Sequence, residues 1–147
     1  MFKIYYASAI DVCVQEAYQQ IEEFKRMFYR LNYNEEHERK STAIEVCGAG
    51  FGKSPVLDGP TPEIKKDVVA AYDLRMIRGC DILLVVTNLK TFAAGTFMEF
   101  EYARQQGLYI IVCVMTEHCV HNIFINKYAD KIVYGVNELE KALKELV

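Results

Sequence analysis

Two uninterrupted apolar runs, ILLVV at 82–86 and YIIVCVM at 109–115, constrain this chain more than any other feature. Neither approaches the roughly 20 residues needed to cross a bilayer, so each reads as a buried strand. A strand that is apolar on both faces needs cover on both faces, which is the position of a central strand in a parallel sheet. The remaining sequence supplies that cover. Phe2–Ser8 (FKIYYAS) is aromatic and β-branched and reads as a first strand. From Val12 to about Tyr33, Cys13, Ala17, Ile21, Phe24, Phe28 and Leu31 recur at helical steps, with Glu22, Glu23, Lys25 and Arg26 mainly on other faces.

A charged turn is expected over Asn34–Ser41, then a second strand over Thr42–Cys47. Thr61, Pro62 and Glu63 supply a cap, a first-turn proline and a first-turn acid for a helix over 62–78, which Gly79 closes. Asp81–Thr87 is the third strand, Gly95–Gln106 a helix, Leu108–Met115 the fourth strand, Lys131–Tyr134 a short fifth and Asn137–Val147 a last helix. Strands alternate with helices throughout. The expected fold is a single α/β domain over 1–147: a doubly wound, flavodoxin-like, five-stranded parallel sheet of order 2-1-3-4-5 with helices on both faces. A ligand site in such a sheet lies outside the carboxyl ends of the strands, where the strand order reverses. That places Tyr5, Tyr6, Ser8 and the segment after Val86 together.

Composition narrows the partners. The chain is 52% hydrophobic and 25% charged, as folded soluble domains are, and its net charge of −3 gives no basic footprint for nucleic acid polymers or membrane surfaces. Five cysteines without a C-x-x-C pair or a secretory leader read as reduced thiols in a cytoplasmic protein. His118, Cys119 and His121 are close in sequence but lack the three or four ligands of a zinc site, so no metal and no cofactor are expected.

Cys47–Ser54 (CGAGFGKS) nearly matches the phosphate-cradling pattern G-x-x-x-x-G-K-[ST]. That pattern works by feeding its glycines into a helix whose N-terminal amides face the phosphates. Here the first glycine is Cys47 and the stretch runs into Pro55 and a loop, so nucleotide hydrolysis is not expected. Two carboxylates have better prospects. Glu99 stands three residues after Thr96 at a helix start, which fits either a capping box or a carboxylate held ionised for nucleophilic attack. Asp73 lies at the edge of a stripe formed by Ile64, Val68, Tyr72 and Met76, one turn from Val69 and Ile77. It fits either a partly exposed surface acid or a half-buried carboxyl with a raised pKa serving as a general acid. Glu101 is expected to point outward without a role. Tyr6 and Phe51 fit either base stacking or ordinary packing.

Lys3–Ser8 (KIYYAS), Tyr72–Val86 (YDLRMIRGCDILLVV), Gly95–Val112 (GTFMEFEYARQQGLYIIV) and His121–Phe124 (HNIF) together resemble the nucleoside 2-deoxyribosyltransferase family, in order and at nearly its spacings. The most specific part is the interval from Asp73 to Glu99 joined to G-T-x-x-E-x-x-Y-A. The resemblance implies Glu99 as nucleophile, Tyr5 as its hydrogen-bond partner and Asp73 as the group that handles the proton of the base. It implies substrate positions at Tyr6, Ser8, Phe51, Ala93, Gly95 and Asn122, with Phe51 in a base-side loop and Asn122 reaching the sugar 5′-hydroxyl of a neighbouring subunit. The implied partners are a deoxynucleoside, a free nucleobase and further copies of the chain in a homo-oligomer with shared active sites. One departure stands out: many transferases have an Asp six residues before the nucleophile, where this chain has Ala93. An N-glycosidase acting on nucleosides or 5′-monophosphates therefore remains open beside base exchange, as does a non-catalytic nucleotide-sensing domain.

Overall fold

The computed structural model describes residues 2–8, 14–34, 39–40, 44–48, 51, 63–87, 94–115 and 123–146. Its elements are β1 (Phe2–Ser8), α1 (Val14–Asn32), β2 (Tyr33–Asn34), β3 (Arg39–Lys40), β4 (Ile44–Gly48), α2 (Glu63–Arg78), β5 (Ile82–Thr87), α3 (Ala94–Gln105), β6 (Tyr109–Val114), α4 (Ile123–Tyr128), β7 (Lys131–Tyr134) and α5 (Gly135–Leu146). Five strands form one sheet in the order β4-β1-β5-β6-β7, every neighbouring pair parallel. Counted along the main sheet, this is the expected order 2-1-3-4-5. The reversal lies between β1 and β5, which pair from Ile4 opposite Ile82 to Ser8 opposite Val86.

Side-chain alternation divides the core into two layers. Ile4, Tyr6, Leu84 and Val86 pack with Ile21, Phe24 and Met27 of α1 and Leu139 and Leu143 of α5. Tyr5, Ala7, Leu83 and Val85 pack on the opposite face with Ile77 of α2, Phe100 and Ala103 of α3 and Ile125 of α4. All six residues of β5 are buried, as a central strand covered on both sides must be.

Asn32, at the end of α1, holds the edge strand: its Nδ2 donates to the Ile44 carbonyl at 2.8 Å and its Oδ1 accepts from the Ile44 amide at 2.9 Å. Asp81 does the same for the sheet interior, its Oδ2 accepting from the Lys3 amide at 2.9 Å while its own amide donates to the Lys3 carbonyl at 2.8 Å. These polar contacts occupy backbone groups that would otherwise be left unpaired at element ends.

Two departures from the sequence reading concern small elements. A short antiparallel pair, Tyr33 opposite Lys40 and Asn34 opposite Arg39, joins the end of the expected helix to the charged turn, and α4 is an element the sequence reading lacks. Among the described residues no helix is long and apolar enough to cross a membrane, and Cys47, Cys80 and Cys113 are in no disulfide.

Candidate active site

The site is built where β1, α2 and α3 meet. Tyr5 is on the face of β1 covered by α2 and α3 and is only 2% exposed. Burial first, then the negative charge of Glu99, that of Asp73 and the hydrogen bond with Glu99 push its hydroxyl far above the ordinary tyrosine value. Tyr5 therefore stays protonated and donates to the Glu99 carboxylate. One aromatic hydroxyl thus sits within electrostatic reach of both candidate carboxylates, which lie 26 positions apart in sequence.

Glu99 reaches this point through the inward stripe of α3. Thr96, Phe100 and Ala103 are buried, and Glu99 falls on the same side with its Oε2 buried. The helix begins at Ala94, which makes Thr96 its third residue and Glu99 its sixth. A capping box needs the Thr at the cap, before the first helical residue. The structural alternative for Glu99 is thereby set aside: its carboxylate is a full turn too deep in the helix to serve the cap. The dipole argument weakens for the same reason, since that field fades beyond the first turn, and the Tyr5 hydroxyl takes its place as the partner of the carboxylate.

Asp73 also sits further inward than the sequence suggests. Ile77, one turn along α2, is fully buried, whereas Tyr72 is 39% exposed. At this end of α2 the inward face runs through Ile77, with Leu74 and Met76 partly buried against the same core, and leaves Tyr72 outside. Asp73 is half-buried beside this face, its Oδ1 has no hydrogen-bond partner among the described residues, and desolvation pushes its carboxyl up to about 6. A carboxyl in that range holds or releases a proton near neutrality, as a general acid must.

The other sequence-derived positions divide. Gly95 is exposed near the start of α3, and a side chain there would meet nothing within 4 Å. Ser8 ends β1 opposite Val86, so its backbone lies at the strand-order reversal. Ala93 and Asn122 lie outside the described residues, as do His118, Cys119 and His121; among the described residues no cluster of metal-ligating side chains occurs. Tyr6 and Phe51 are not brought to the Tyr5 group. Alternation turns Tyr6 to the opposite face, where its ring lies 5.5 Å from that of Phe24 and 4.9 Å from that of Phe51, which in turn packs on Phe28 at 5.9 Å. Both rings serve packing under α1. Glu101 points outward, bound to Arg104 at 2.6 Å.

Cys47 was missed. It pairs in register with Tyr5, acts on the Tyr5 hydroxyl electrostatically, and lies 3.5 Å from the Cys80 sulfur. The register of β1 and β4 brings Cys47 to Tyr5, the end of α2 brings Cys80 to Cys47, and no local motif announces either.

No protein-family model and no curated protein matches the chain by sequence. Solved structures do match by shape. A 2-deoxyribosyltransferase from Bacillus psychrosaccharolyticus superposes with a TM-score of 0.70 at 17% identity, over 94% of this chain and 90% of that one. A conserved protein from Enterococcus faecalis V583 gives 0.67 at 13% identity over 100% and 99%, and a CMP N-glycosidase from Clostridium botulinum gives 0.57 at 12% over 99% of each. The fold is thus one that a 2-deoxyribosyltransferase and an N-glycosidase share. At these identities the likeness concerns the fold; what the chain does rests on its own site.

Proposed function

We propose that this chain exchanges the base of 2′-deoxynucleosides. The observation that carries the reading is the pair of unlike carboxylates around Tyr5: Glu99 hydrogen-bonded to the hydroxyl, Asp73 desolvated with its pKa raised to about 6. Two carboxylates in different environments divide the work of a retaining glycosyl site between nucleophile and acid. Glu99 attacks C1′, the bond from C1′ to the base nitrogen breaks, and Asp73 gives its proton to the departing base. A deoxyribosyl ester of Glu99 results. An incoming base attacks C1′ from the vacated face, its proton passes to Asp73, and Glu99 is released with overall retention. The Tyr5 hydroxyl holds the carboxylate in place, so that stabilisation of the oxocarbenium-like transition state requires no rearrangement. Ser8, Gly95 and Ala93 belong to the sugar side of the proposed site, and Asn122 of a neighbouring copy completes it in a homo-oligomer.

Hydrolysis is the second reading, favoured by Ala93 in place of the acid that many transferases carry six residues before the nucleophile. Water then takes the position of the incoming base. A panel of deoxynucleosides and their 5′-monophosphates, each incubated with and without a free acceptor base, separates the readings. A new nucleoside, formed only with acceptor and lost in Glu99→Gln, supports exchange. Free base and sugar in equal amounts, with acceptor present, would establish hydrolysis instead. Binding without turnover, unchanged in Glu99→Gln, points to a sensing domain and ends the catalytic account.

A further inference from the structure

The Cys47 and Cys80 sulfurs are neighbours on the site-facing side of the sheet. Cys47 lies in β4 beside Tyr5, Cys80 follows α2 by two residues, and their Sγ atoms are 3.5 Å apart although the residues are 33 positions apart. Both are partly buried, in contrast with the buried Cys113. The Cys80 thiol also donates to the Met76 carbonyl at 3.2 Å, which fixes its side chain toward the last turn of α2. A disulfide has its sulfurs about 2.05 Å apart, so the gap to close is about 1.5 Å, within reach of a side-chain rotation.

We infer that Cys47 and Cys80 form a reversible redox pair that fastens the end of α2, the helix carrying Asp73, to the strand beside Tyr5. Peroxide supplies the oxidising equivalent. The Cys47 thiolate attacks one peroxide oxygen and becomes a sulfenic acid, with hydroxide leaving. The Cys80 sulfur then attacks the Cys47 sulfur, and its proton departs with the sulfenic oxygen as water. Two thiols have lost two electrons in all, and a dithiol reductant returns them. The hydrogen bond with Cys47, followed by burial, raises the pKa of Cys80, which suits the thiol that keeps its proton until the second step. The link closes a long loop containing all of α2. Restricting the unfolded chain in this way stabilises the fold, and the chain-entropy argument gives a rise in Tm of about 5–10 °C.

The chemistry is independent of the proposed activity and is read without substrate. The full chain is treated with hydrogen peroxide, then with dithiothreitol, and followed by intact mass, peptide mapping and thermal unfolding. The expected result is the loss of two hydrogens within one chain, a peptide joining Cys47 to Cys80, a raised Tm, and reversal of all three by reductant. Cys47→Ser and Cys80→Ser should each abolish the link and the Tm rise, and two separate variants guard against one that folds poorly. Oxygen adducts without a link, a link to Cys13 or Cys119, or a Cys47–Cys80 link that leaves Tm unchanged would overturn the inference.

Discussion

Burial at Asp73 sets folding against function in a way that pH can expose. Its carboxyl titrates near 6 in the folded chain against 3.8 when solvated, so between those values the folded state binds more protons than the unfolded one. Stability therefore falls as pH rises through that window and stays lowered above it. Replacing the carboxyl by a neutral amide removes the penalty. Asp73→Asn should melt higher than the wild type at about pH 8, by about 2–4 °C, and the gap should close as pH falls toward 4. The same change should cut base exchange about 10²–10⁴-fold, and the wild-type rate should decline as pH rises through about 6, where the acid loses its proton. Calorimetry and rate profiles across this range check both halves; an Asn variant less stable at every pH would contradict the desolvation account. Sequence spacing could propose Asp73, Glu99 and Tyr5 separately, and the family resemblance joined them. It could not show that Asp73 faces inward, because the exposed Tyr72 beside it is as apolar as the buried Ile77. Tyr6 is different: strict alternation after Tyr5 is by itself sufficient reason to turn it to the opposite face.

At the scale of elements, the end of β4 is a point where backbone geometry leaves little choice. Gly48 has φ of +109°, and a Cβ there would stand 2.5 Å from the Tyr6 carbonyl oxygen. Its own carbonyl accepts from the Phe51 amide at 3.0 Å, closing a turn under the aromatic packing of Tyr6 and Phe51. Gly48→Ala meets both a disfavoured conformation and a backbone clash, so it should destabilise the domain by about 2 kcal/mol or more. The urea midpoint should drop by about 1 M, and an unchanged midpoint would mean that β4 shifts away from β1 at little cost. Nothing within this glycine-rich stretch itself shows the reason for its first glycine, which lies in the neighbouring strand at Tyr6. The main strands were legible because ILLVV and YIIVCVM admit few alternatives. The β2–β3 pair, two residues on each side, and α4, six residues with Ile125 its one buried side chain, are too short to display any period.

At the scale of the molecule, the proposed site borders a surface that a lone copy leaves uncovered. Leu74 and Met98, the sequence neighbours of Asp73 and Glu99, line an open groove of about 670 Å³ together with Phe97, Tyr102, Phe124 and Tyr128. Met98 is 71% exposed, Ile123 74% and Phe124 56%, a concentration of apolar side chains between α3 and α4 that marks an interaction surface. The occupant we assign is a second copy of this chain. Asn122 immediately precedes α4, so an interface built on Phe124 carries the same segment that the resemblance assigns to a neighbour's sugar 5′-hydroxyl. On that proposal the active sites are shared between copies. Sedimentation of the wild type at micromolar concentration should show an oligomer, and Met98→Glu combined with Phe124→Glu should yield a folded monomer by circular dichroism. That monomer should lose base exchange through a raised KM as well as a lower kcat, because the partner's contribution is to hold the sugar. A wild-type chain that sediments as a monomer while exchanging bases would confine the entire site to one copy and leave the groove for some other partner.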